Sequence, residues 1–165
     1  MRFRSTKASG SFECTKRGAF ELLVHMEADP HCCSYAVFDC NAVLPSDIAR
    51  ELDDVAAYTM RHTSGRYVVC AQPPRADRSP GFRYCWSELD DRLARQETWL
   101  LSATLKDLRS EPRWSAALQI ARAAQNHFEP SDDLSLDGEL RLEPKTYDTT
   151  ISWLLRHPAD HVATW

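Results

Sequence analysis

His25, His31, Cys32, Cys33 and Cys40 fall within sixteen residues of one another. Thiolates and imidazoles are ligands that zinc prefers, and a thiol activated by an imidazole is a common nucleophile. The spacing serves neither chemistry well. There is no Cys-x-x-Cys knuckle, and adjacent Cys32 and Cys33 rarely both reach one ion. A reactive thiol needs an electropositive, partly exposed setting, which only the Pro30–His31 turn offers. His157 and His161 have the spacing that puts two rings on one helical face, but Pro158 breaks that helix. A metal-binding or thiol-dependent enzyme centred on His25, His31, Cys32 and Cys33 is therefore the alternative reading, and no metal or cofactor is expected.

Carboxylates occur in pairs at Asp53–Asp54, Asp90–Asp91 and Asp132–Asp133. Acid–base or two-metal chemistry needs such acids to converge in a cleft, whereas the first two pairs fall on polar faces of expected helices. The five glycines each sit at a turn, so no glycine-rich phosphate loop can be assembled. The aromatic set is larger than a small core requires: Trp86, Trp99, Trp114, Trp153 and Trp165, with Phe82, Tyr84 and Tyr147. Tryptophan and arginine are enriched at interface hot spots. Trp165 and the Arg-Pro-rich loop 73–81, with Arg75 and Arg78, are therefore candidates for a partner-binding surface.

The chain has 165 residues and a net charge of -4, a small difference between large blocks. Residues 1–20 carry +4, residues 21–60 carry -7, residues 61–80 carry +3 and residues 131–165 carry -4. The acidic block nominates Glu51, Asp53 and Asp54 as the face that meets a basic partner, since complementary charge steers association. The acidic balance argues against nucleic acid. No apolar run approaches the length of a membrane span, and the basic start Met1–Lys7 is not followed by the apolar stretch of a secretory signal. The six cysteines are accordingly expected as reduced thiols in a cytoplasmic protein.

Hydrophobic residues make up 43% and charged residues 27%, the composition of a globular domain. One α+β domain over residues 1–165 is expected, with a basic arm at 1–10. Strands are expected at 11–15, 19–27, 34–40, 66–72 and 82–86. Helices are expected at 46–63, at 89–108, from Pro112 to Phe128, and after Asp148, with a short edge strand near 140–142. Consecutive hairpins imply an antiparallel sheet of about five strands, with helices on one face and a C-terminal helix. This β-β-β-α-β-β-α order over residues 11–108 is similar to that of type III secretion chaperones, small acidic proteins without catalysis. The expected function is a non-catalytic accessory protein of bacterial or phage type, such as an immunity protein, an inhibitor or a secretion-type chaperone. It would bind another protein through an acidic and aromatic surface. A structural subunit of a larger assembly is a further alternative.

Overall fold

The computed structural model describes residues 1–126 and 148–157. The α+β class is observed, with a four-stranded sheet and a separate two-stranded ribbon. The ribbon pairs β1 (Arg2–Arg4) with β2 (Ser11–Glu13). The main sheet holds β3 (Cys32–Val37), β4 (Ala56–His62), β5 (Gly65–Gln72) and β6 (Thr98–Thr104) in that spatial order. The expectation of an antiparallel sheet needs correction here. β3, β4 and β5 run antiparallel, but β6 joins β5 in parallel. A parallel neighbour needs a crossover, and α3 (Pro80–Ala94) supplies it.

Helices also cover both faces rather than one. Alternation along the strands divides the sheet. Tyr58, Met60, Tyr67, Val69, Leu101 and Ala103 face α1 (Ala19–Ala28), α5 (Arg113–Asn126), α6 (Thr150–Arg156) and the ribbon. Ala57, Val68, Cys70 and Leu100 face α2 (Ser46–Ala49) and α3. The short α4 (Leu105–Leu108) opens on a capping box, in which Thr104 and Asp107 satisfy each other's backbone N–H groups.

Four expected elements change type in whole or in part. Residues 19–27 form α1, not a strand. Nearly every α1 side chain is buried, and a helix enclosed on all sides loses the polar stripe that distinguishes period 3.6 from period 2. Residues 82–86 lie in α3. Ser79 caps its first turn by accepting from the Phe82 N–H at 2.9 Å, and Pro80 starts the helix. Phe82 and Trp86 are buried and stacked at 5.6 Å, while Tyr84, the third member of the expected apolar face, is 60% exposed. The expected helix 89–108 is interrupted by β6, after Glu97 turns the chain in the left-handed region at φ 53. The helix expected from 46 stops at Leu52 in a 3-10 turn, and β4 follows. With these changes the element-order likeness to secretion chaperones is gone. The edge strand expected near 140–142 lies outside the described residues.

The N-terminal segment is not a free arm. Phe3 and Phe12 enter the core, and residues 5–7 dock on the end of α1. Glu27 accepts from Ser5 Oγ and Thr6 N at 2.8 Å each, from Thr6 Oγ1, and from Tyr35 OH at 2.5 Å. Burial alone would raise the Glu27 carboxyl, but the bonds from Thr6, Tyr35 and Ser5 outweigh it and hold it below its ordinary value. Lys7 Nζ donates to the carbonyls of Met26, at 3.0 Å, and Asp29, where the helix dipole favours a cation. Among the described residues, no helix is long and apolar enough to cross a membrane.

Candidate functional site

The C-terminal end of β5 opens into a cleft of about 280 Å³. Val55, Ala71 and Phe82 give the cleft an apolar lining, and Glu51, Asp54, Asp77, Ser79, Gln72 and Arg17 add polar groups. Glu51 comes from the 3-10 turn Arg50–Leu52, Asp54 from the link into β4, and Asp77 from the turn Arg75–Asp77 before α3.

Glu51 is held by the start of α3. Ser79 Oγ donates to Glu51 Oε2 at 3.1 Å while accepting from the Phe82 N–H. Gly81 lies directly beneath the carboxylate: a Cβ there would stand 3.0 Å from Glu51 Cδ. Glycine thus lets the acid settle against the helix N-terminus, where unpaired N–H groups favour negative charge. Gln72 is buried beside the cleft, and its Nε2 has no hydrogen-bond partner among the described residues. Arg78 Nε donates to the Pro73 carbonyl at 3.0 Å, bracing the loop that carries Asp77.

The structure therefore brings together Glu51 and Asp54 from the acidic block with Asp77 and Ser79 from the Arg-Pro-rich loop. Asp53 is exposed and does not line the cleft. Arg75 lies on the turn that carries Asp77, and Trp165 lies outside the described residues. Sequence reading missed Arg17, Gln72, Asp77 and Ser79. Only Ser79 carried a signal, the Ser-Pro pair that opens α3.

The histidine and cysteine constellation does not gather. His25 lies inside α1, and its Nε2–H donates to the Leu108 carbonyl at 2.6 Å. Burial pushes its pKa down, so the ring is neutral at pH 7. Cys32 is enclosed, and burial pushes its thiol up to about 12, which suits a packing residue rather than a nucleophile. A register shift between Cys32 and Ser34 leaves Cys33 exposed. His31 is exposed, with its ring 5.8 Å from that of His62. All six cysteines are free, and no cluster of three or more His, Cys, Asp or Glu among the described residues is placed to hold a metal. Of the acid pairs, Asp90–Asp91 sits on α3, where burial and then Asp91 raise the Asp90 carboxyl; Asp132–Asp133 lies outside the described residues.

No protein-family model matches the chain, and no curated protein or solved structure matches it significantly.

Proposed function

We infer that this chain is a non-catalytic binding protein that takes a basic side chain of a protein partner into the cleft at the end of β5. One observation carries the reading. Glu51, Asp54 and Asp77, from separate segments, line one cleft with an apolar floor, and Arg17 is the cation that lines it with them. An arginine or lysine inserts its aliphatic stem along apolar surface while its charged head meets carboxylates. Charge complementarity of this kind steers encounter and selects the partner. An immunity protein or an inhibitor of a basic target, acting in the cytoplasm, would use such a cleft.

The test is calorimetric titration with an arginine-rich peptide at low and moderate salt. The wild-type chain is expected to bind in a salt-sensitive manner. The combined Glu51→Gln, Asp54→Asn and Asp77→Asn variant is expected to lose about tenfold or more in affinity. Unchanged affinity and unchanged salt dependence in that variant would overturn the reading.

A further inference from the structure

At the opposite end of β5, two arginines face each other across the sheet. Arg66 pairs with Arg61 of β4, Arg61 pairs with Ser34 of β3, and Arg66 pairs with Thr98 of β6. Ser34, Arg61, Arg66 and Thr98 thus form one row across all four strands. α3 covers this face further along, over Val68, Cys70 and Leu100, and leaves the row bare. A concavity of about 310 Å³ lies over it, lined also by Ala36 and Thr59.

Like charges directly opposite on a sheet repel, because their Cβ atoms are only about 5 Å apart. Here that repulsion is uncompensated: neither Arg61 nor Arg66 has an ion pair or a side-chain hydrogen bond among the described residues. Thr59 and Thr98 hydroxyls are turned onto the carbonyls of Ala36 and Gln96 at 3.3 Å each, so they shape the walls. The Ser34 hydroxyl has no hydrogen bond among the described residues and is available as a donor.

We propose that this row is a binding site for the phosphoryl group of a phosphomonoester. A carboxylate, with two oxygens and one charge, is satisfied by one guanidinium fork. Two forks on adjacent strands match a tetrahedral dianion, whose three terminal oxygens offer lone pairs to both forks, one oxygen being shared, and to the Ser34 hydroxyl. The bound dianion also removes the repulsion between the two arginines. The site uses neither the acidic cleft nor the partner assigned to it.

Inorganic phosphate is the probe, titrated into ¹⁵N-labelled protein at constant ionic strength with chloride as the balancing ion. Saturable shifts are expected at the amides of Ser34, Arg61, Arg66 and Thr98 and at the two arginine Nε–H groups. Arg61→Gln and Arg66→Gln should each weaken binding about tenfold or more. Arg61→Lys and Arg66→Lys should also weaken it, because lysine keeps the charge but loses the fork. Both side chains are exposed, so the variants should retain the wild-type spectrum elsewhere. Shifts that do not saturate, that chloride reproduces, or that survive both glutamine substitutions would overturn the proposal. Lysine variants that bind as well as wild type would overturn the bidentate geometry on which it rests.

Discussion

Glu27→Gln is expected to loosen the N-terminal ribbon and to remove a large share of the chain's stability. The carboxylate accepts four hydrogen bonds, from Ser5 Oγ, Thr6 N, Thr6 Oγ1 and Tyr35 OH. Breaking a hydrogen bond to a charged group costs about 1.5–3 kcal/mol. Glutamine keeps one oxygen that can accept two of the four, but its amide turns donors toward the remaining two. Relief of the buried charge offsets part of that loss, leaving a net cost of about 2–4 kcal/mol out of a typical total of about 5–15. Urea unfolding at neutral pH measures it directly. Trypsin gives a local readout, because Lys7, now docked on the end of α1, should be cut faster once Ser5 and Thr6 are released. The sign of the pH dependence follows from the same contacts. The folded carboxyl lies below its ordinary value of 4.5, so its contribution is complete above that value and fades as pH falls through the lower folded value. Wild type and Glu27→Gln should therefore converge in acid. A variant within about 0.5 kcal/mol of wild type at neutral pH, with Lys7 still protected, would refute the reasoning.

Three further outcomes follow from single residues. Gly18 has φ 78, and a Cβ there would stand 2.6 Å from Ala71 Cβ; Gly18→Ala should cost about 2–4 kcal/mol in urea unfolding, and a loss well below 1 kcal/mol would contradict the packing. Gly81→Ala meets only the flexible end of Glu51, so stability should fall by less than about 1 kcal/mol while affinity for the arginine-rich peptide drops; unchanged affinity would detach Glu51 from binding. His25 is held below its ordinary 6.5 chiefly by burial, so the unfolded chain takes up a proton that the folded chain refuses. Stability should then decline as pH falls past that value, and an NMR midpoint for this ring at or above 6.5 would show the assignment to be wrong.

Local signals were legible where one face of an element meets water, or where a cap stands at its end. α5 and α6 lie close to their expected positions because their text admits one periodicity, and β5 because its short apolar run is bounded by turns. The failures share a cause in tertiary burial. α1 is buried all round, so Phe20, Leu22, Val24 and Met26 mimic a strand that alternates. Leu100 and Leu101 in β6 face opposite sides of a covered sheet, and an apolar run of that kind is compatible with either element. The cleft was half legible. Glu51 and Asp54 were visible as charge, and Arg78 as part of the loop. That Asp77 joins them depends on α3 crossing from β5 to β6, which no local pattern encodes. The arginine row was hidden by reading Ser64–Gly65 as a helix end. As the turn of a β4–β5 hairpin, the same residues place Arg61 opposite Arg66.

The acidic block of residues 21–60 illustrates why charge along a chain does not translate directly into charge on a surface. It contains eight acids, and three of them are buried. Glu21 accepts from Arg109 Nε at 2.9 Å, Glu27 anchors the N-terminal segment, and Asp29 accepts from the His31 and Cys32 N–H groups at 2.7 and 3.2 Å. Asp39 caps a turn by accepting from the Asn41 N–H at 2.9 Å. Half of the apparent belt therefore fixes the fold; of the four exposed acids that remain, Asp47, Glu51, Asp53 and Asp54, two line the cleft, joined by Asp77. The basic block 61–80 divides in the same way, with Arg78 bracing the cleft loop and Arg61 and Arg66 at the far end of β5. The strand separates the two sites by about 20 Å, roughly twice the distance over which physiological salt screens charge. Each site can therefore bind its own ligand with little electrostatic interference from the other. If the arginine row is neutralised, affinity at the acidic cleft should stay the same at physiological salt.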